Sequence, residues 1–308
     1  MKKFNNILFL SKGVMNHNDS LAQSIHLASR NKAKLTGLVV CPHLPDDMIE
    51  YEEHYEGSLI ESLQSQIQSS LLISIDDMDI AVELIVAEKP DIETIRYIQK
   101  HKIDLVIKEA ESSKNHSYGL RAIDMNLLRK CPCPVWLNRP NNQPSGKQRV
   151  AVAIDANVTT EEERALSIDL LQLSRTITDN CDGQLLIISC WEYVLESYLK
   201  DNVWLKPSEE ELENHIKSAN QQHSVALKAL IDDSGIGGDI SVHQLHGTPD
   251  DEIPTCVEQN KVDILVMGTL ARTGIEGVII GNTAENIVQN VSCSLVALKS
   301  KQFSSSIE

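Results

Sequence analysis

The residues best suited to chemistry in this 308-residue sequence lie between Gly268 and Glu285. The segment reads Gly268-Thr269-Leu270-Ala271-Arg272-Thr273-Gly274-Ile275, continues through Glu276-Gly277-Val278-Ile279-Ile280, and ends Gly281-Asn282-Thr283-Ala284-Glu285. A short apolar run, Ile264–Gly268, stops at a glycine and enters a glycine-containing loop, after which Gly281-Asn282-Thr283 opens a helical pattern. Converging backbone N–H groups in such a loop, with a helix N-terminus behind them, favour an anion. The expected chemistry is the cradling of phosphates. Neither GxxxxGK[ST] nor GxGxxG is present, so the segment matches neither of those phosphate-loop patterns. A reading without ligand stands beside this one: Asn282 with Glu285 three residues on fits a capping box.

Other chemistry finds less support. No GxSxG, HExxH or kinase set occurs, and no Ser/His/Asp or Cys/His arrangement assembles from sequence neighbours. A binding module with at most slow turnover of its ligand is therefore expected in place of an enzyme, with no catalytic residues and no metal ligands. His243 and His246 stand i, i+3 on a predicted strand and face opposite sides, which argues against a shared metal. Seven cysteines at 41, 131, 133, 181, 190, 256 and 293 suit reduced thiols rather than a disulfide framework. Only Cys131-Pro132-Cys133 is a close pair; it lacks CxxC spacing and a second pair, so a structural role is expected for it.

The elements that position the glycine segment occur twice. Lys102-Ile103-Asp104-Leu105-Val106-Ile107-Lys108 has a counterpart in Lys261-Val262-Asp263-Ile264-Leu265-Val266-Met267, and Lys89-Pro90-Asp91 matches Thr248-Pro249-Asp250. Cys131-Pro132-Cys133-Pro134-Val135-Trp136-Leu137 pairs with Val291-Ser292-Cys293-Ser294-Leu295-Val296-Ala297, at offsets of 159 to 160. At the front the offset between residues 6–12 and 149–155 is 143, so the second copy has a longer middle. In that copy apolar runs at 150–154, 184–190, 240–245, 264–268 and 295–299 predict strands. Helical periodicity at 161–179, 209–232, 250–260 and 283–290 predicts the crossovers between them. Strands buried on both faces, joined by helices, make an α/β doubly wound parallel sheet. Its ligands bind beyond the carboxyl ends of the strands. Asp250 is expected to cap the helix that follows Gly247-Thr248-Pro249, and Glu161-Glu162-Glu163 to sit in a first turn, where the macrodipole favours carboxylates.

The glycine segment resembles the signature of the universal stress proteins, G-x2-G-x9-G-[ST], which follows the fourth strand and holds the phosphates of ATP. Together with Leu127-Leu128-Arg129-Lys130-Cys131-Pro132-Cys133-Pro134-Val135-Trp136, it makes the chain similar throughout to two universal stress domains in tandem, close to the E-type proteins of bacteria. The resemblance implies two five-stranded sheets of order 3-2-1-4-5 flanked by helices and packed as a pseudo-dimer, with residues 135–138 and 295–299 at the seam. The domains expected are 1–140, with a degenerate loop, and 149–301, with the glycine motif; 141–148 is the linker and 302–308 a tail.

Carried over by position, Gly268 and Gly281 match the first and last glycines of the signature, Ala271 stands at the second glycine and Asn282 at the Ser/Thr. Arg272 and Thr283 complete the expected nucleotide-binding set, and Asp155 matches the acidic residue that reaches the nucleoside. ATP is the implied ligand, in the second domain only, with no metal beyond a nucleotide-bound Mg. In the first copy Lys12 replaces Asp155, Glu109 stands at Gly268, Asp124 lies near Gly281, and only Gly119 of the glycines remains. Carboxylates there are expected to repel a triphosphate.

The charge balance excludes some functions. With 28 Lys+Arg against 44 Asp+Glu the formal charge is −16, which argues against a general nucleic-acid binder. No stretch of about 18 uncharged apolar residues predicts a membrane span, and the basic start is followed by too short an apolar run for a signal peptide. A cytoplasmic stress-response protein is the expectation, its partners a small-molecule nucleotide and its own second half, with a higher homo-oligomer left open. The alternatives are a binding module for an apolar or amphipathic small molecule and a structural interaction scaffold.

Overall fold

The computed structural model describes residues 4–13, 19–71, 78, 80–111, 120–140, 148–201, 208–269 and 280–307. The expected linker residues 141–147 lie outside these, as does most of the first-copy loop at 112–119. The chain divides into two compact bodies, one built from the described residues within 2–144, 269–281 and 292–308, the other from those within 145–268 and 282–291.

The first body starts with β1 (Asn6–Ser11), α1 (Asp19–Asn31), β2 (Lys34–Cys41), α2 (Glu52–Leu71) and β3 (Ile80–Val86). It continues with α3 (Pro90–His101), β4 (Leu105–Glu109), α4 (Ala122–Lys130) and β5 (Val135–Asn138). Its strands run β3-β2-β1-β4-β5, all parallel, the order 3-2-1-4-5. The centre is apolar on both faces, as parallel strands under helical crossovers require: Ile7, Leu8, Leu35, Leu38, Leu105 and Val106 are closed to solvent. The few aromatics fill it at Phe4, Phe9 and Trp136.

The second repeat places β6 (Arg149–Ala153), α5 (Glu161–Asn180), β7 (Gln184–Trp191), α6 (Glu196–Asp201), α7 (Glu209–Ser234) and β8 (Ile240–His246) in the other body. There follow α8 (Pro249–Gln259), β9 (Ile264–Gly268) and α9 (Asn282–Asn290). Its strands run β8-β7-β6-β9, again parallel. The last strand, β10 (Ser294–Leu298), is counted with the first body, where it pairs antiparallel with β5: Leu295 faces Leu137, Val296 faces Trp136 and Ala297 faces Val135. The two segments expected to meet therefore do so.

The repeat extends to backbone conformation. Both α3 and α8 begin with a proline in the first turn, where its missing N–H costs nothing, and both are followed by a left-handed lysine, Lys102 at φ 52° and Lys261 at φ 50°. Each terminates its helix and turns the chain into the apolar strand that follows, β4 or β9. The caps differ from expectation at α8, where Thr248 takes the N-cap position and Asp250 lies inside the first turn, accepting a hydrogen bond from Asn286 Nδ2 at 3.3 Å. Glu161-Glu162-Glu163 does open α5, and Glu163 closes a capping box with Thr160.

Candidate functional site

In a doubly wound sheet the crossovers reverse direction at one point, leaving a crevice at the carboxyl ends of the two strands that flank it. In the second repeat those strands are β6 and β9, in register with Val150 opposite Ile264 and Val152 opposite Val266. Gly268 is the last residue of β9, and Asp155 follows β6 by two residues, so the two emerge side by side. Asp155 is exposed, its Oδ1 accepting from the Asn157 N–H at 2.9 Å.

Asn282 is the first residue of α9, and it and Thr283 are exposed, whereas Ala284, Ile287 and Val288 hold the helix to the core. The exposed residues thus stand at the helix end whose N–H groups have no intrahelical acceptor. The ends of the glycine loop close on each other: the Gly281 N–H donates to the Thr269 carbonyl at 3.0 Å, and the Thr269 N–H to that of Leu298 at 3.2 Å. Thr269 is fully buried, and its Oγ1 has no hydrogen-bond partner among the described residues. Ala271 and Arg272 lie outside the described residues.

The equivalent point of the first repeat, between β1 and β4, is built differently. Lys108 follows three apolar residues in β4 and has 3% of its surface exposed, and its Nζ donates to the Glu109 carbonyl at 2.9 Å and Glu111 Oε1 at 2.7 Å. It also stands 2.9 Å from Asp124 Oδ1, a charge contact without hydrogen-bond alignment. Asp124, fully buried on α4, accepts the Glu111 N–H at 2.7 Å through Oδ2. Lys12, in the place of Asp155, and Arg121 both pair with Glu111 Oε2. Burial alone would raise the Glu111 carboxyl, but the bonds from Lys108 and Lys12 bring it below its ordinary range; at Asp124 burial outweighs Lys108 and the pKa stays raised. Glu111 and Asp124 are thus held by cations of the same repeat, whereas Glu109 gives this network only its backbone carbonyl. Acidic groups therefore stand at this end of β4 together with their own cations.

The remaining candidates carry structural duties. His246 stacks on Trp191 with ring centroids 4.3 Å apart and its Nε2 lies 2.9 Å from Glu196 Oε2, whereas His243 Nδ1 lies 3.9 Å from Cys256 Sγ. No group of three or more His, Cys, Asp or Glu that could hold a metal occurs among the described residues. No helix among them is long and apolar enough to cross a membrane.

Residues 147–299 match the model of the universal stress protein family. Universal stress protein E homolog of Haemophilus influenzae is 28% identical over 66% of this chain and 64% of its own length, so the alignment leaves about a third of that relative unmatched. Universal stress protein E of Photorhabdus laumondii is 23% identical over 98% of this chain and 97% of its own. Among solved structures, a functionally unknown protein of Pseudomonas aeruginosa PAO1 superposes with a TM-score of 0.74 at 19% identity, covering 97% of this chain and 93% of that one. A universal stress protein from Archaeoglobus fulgidus gives 0.62 at 15%, covering 97% and 98%. With the glycine segment, the repeated α/β architecture and these matches in agreement, the chain belongs to the universal stress protein family and carries two repeats of its fold in tandem.

Proposed function

We propose that the second repeat binds an adenine nucleotide, ATP, and that the chain acts as a non-catalytic sensor or regulator in a stress response. The observation that carries this reading is the contrast between the two crevices: the first holds the Lys108–Glu111–Asp124 network, whereas the second presents exposed Asp155, Asn282 and Thr283. In this reading Gly268 and Gly281 allow close backbone approach and the N-terminus of α9 favours phosphate charge. Asn282 and Thr283 supply side-chain donors, Arg272 a compensating cation, and Asp155 an acceptor for a ribose or base hydrogen bond. Such a ligand would bring its own Mg²⁺.

Calorimetry with ATP should give one equivalent bound per chain. Gly281→Val should abolish it, because Gly281 is buried and a branched side chain there takes the space the close backbone approach needs. No heat at millimolar ATP in the wild type, or two equivalents bound, would overturn the assignment. Restoring the second glycine of the signature with Ala271→Gly should tighten binding by ~1 kcal/mol, about fivefold, the scale of a single contact or strain change. Unchanged or weaker affinity would show that phosphate does not approach residue 271.

A further inference from the structure

The Cys131-Pro132-Cys133 pair, expected to be structural, meets a third residue from the far end of the chain. Cys131 ends α4 and is fully buried, Cys133 leads into β5 and is half-buried, and their sulfurs lie 3.6 Å apart. Because β10 pairs with β5, Lys299 just after β10 is brought in beside them. Lys299 is 7% exposed, and its ammonium donates to the Cys131 carbonyl at 2.8 Å and lies 4.9 Å over the Phe303 ring. Both are neutral groups. An ammonium buried among neutral groups is costly, and an anion beside it relieves the cost; here the thiols can supply one.

We propose that Cys131 and Cys133 form an oxidation site for hydroperoxides, with Lys299 holding the pair as a thiol–thiolate that shares one proton. Three observations converge: sulfurs in mutual contact, a buried cation beside them, and partial exposure of residue 133 where residue 131 has none. The electrostatics agree. Burial alone would raise Cys131, but the hydrogen bond from Cys133 and the charge of Lys299 bring it below its ordinary value, while Cys133 is raised by that same bond and by burial. Burial takes Lys299 down to about 8, a shift the cysteines oppose. Asp104 is the other charged group felt by Cys133, and it opposes ionisation there.

The charge belongs to the pair, and exposure decides which sulfur meets the oxidant. Attack proceeds from the minor arrangement, in which the shared proton has moved to Cys131 and the Cys133 thiolate meets the terminal oxygen of a hydroperoxide, ROOH. The O–O bond breaks, the alkoxide leaves and takes a proton from water as ROH, and Cys133 becomes a sulfenic acid. Cys131 then attacks that sulfur, its thiol proton goes to the departing hydroxide as water, and the S–S bond forms. In sum, two thiols and ROOH give a disulfide, ROH and water, a two-electron oxidation of the pair. The sulfurs must close from 3.6 Å to the roughly 2.05 Å of a disulfide bond.

The test treats the folded full-length chain with hydrogen peroxide, alkylates it in denaturant and maps the peptides by mass. The expected product is a peptide carrying residues 131 and 133 that is lighter by two hydrogens, resists alkylation, and is restored by dithiothreitol. Lys299→Met should slow its formation about tenfold near neutral pH and move the pH midpoint of the rate upward, as losing a neighbouring cation raises a thiol; Lys299→Arg should recover most of the rate. Full alkylation of both cysteines after peroxide, or sulfinic acid at either without the two-hydrogen loss, would overturn the proposal. So would a folded Lys299→Met protein that oxidises at the wild-type rate with the wild-type pH profile. Should that variant not fold, the wild-type map and the Lys299→Arg rate still decide.

Discussion

Lys108→Met should destabilise the protein by about 3–5 kcal/mol at neutral pH, the cost of removing one partner from a buried ion pair. The methionine fills a similar volume, so the loss is electrostatic. Asp124, closed to solvent, would keep the Glu111 N–H but lose its cation, and Glu111 would retain only Lys12 and Arg121, each about half exposed. The pH dependence gives the sign. Asp124 is already raised in the folded state, so the native protein holds its proton to higher pH than the unfolded chain does, and stability falls as pH rises through that value. Without Lys108 this value moves further up, and the penalty is greatest at neutral pH and shrinks as Asp124 is protonated. Glu111 works in the opposite sense: its lowered pKa gives the wild type stability that is present above the unfolded carboxylate range and lost as pH falls through the folded value. The two stability curves should therefore converge on acidification. Urea denaturation across this range checks it, and Lys108→Met combined with Asp124→Asn should regain part of the loss. A deficit under about 1 kcal/mol that does not change with pH would show that the network contributes little.

That network also marks where sequence reading stops. The second repeat was legible because its signals are local: Ile264–Gly268 is a strand with the bounds its apolar run predicts, and α5, α7, α8 and α9 begin within one residue of where their periodicity places them. The candidate site residues Gly268, Asn282 and Thr283 come from one such local pattern, whereas Asp155 comes from the resemblance to the family. Lys108 and Asp124 belong together for a reason no local pattern carries, since β4 and the first turn of α4 approach only once the sheet is wound. One signal was present, a lysine directly after the apolar run Leu105-Val106-Ile107 of a strand, where a burial-minded reading demands a partner. The short α6 went unpredicted because six residues are too few to show a helical period. At α8 the cap was misplaced by two residues: Asp250 has the right chemistry for a cap, but Pro249 must occupy the first turn, which moves the cap back to Thr248. Lys299 with the cysteine pair is the same lesson at a separation of 168 residues.

Deleting residues 292–308 should have the largest effect of all, leaving no stable monomer. The deletion removes β10, in which Leu295, Val296 and Leu298 are each no more than 5% exposed, and burying side chains of this size is worth about 1.5–3 kcal/mol apiece. Together that is on the order of 5–9 kcal/mol, against a total stability of about 5–15 kcal/mol for a domain. Polar groups would be lost as well: buried Ser294 Oγ donates to Asn138 Oδ1 at 3.0 Å and accepts the Arg139 N–H at 3.0 Å, while Asn138 Nδ2 donates to Ser20 Oγ at 3.1 Å. Without Ser294 the Arg139 N–H and one side of Asn138 lose their partners. The bared edge of β5, with Val135, Trp136 and Leu137 all buried in the intact chain, would then offer unpaired backbone groups and an apolar surface to another molecule. Light scattering after size exclusion should accordingly show aggregates or a dimer that re-covers β5, and the melting temperature should fall sharply. Removing only residues 304–308 is the control, since it spares β10, Lys299 and Phe303. A well-behaved monomer from the longer deletion, melting near the wild type, would mean that β5 does not depend on β10 for its stability.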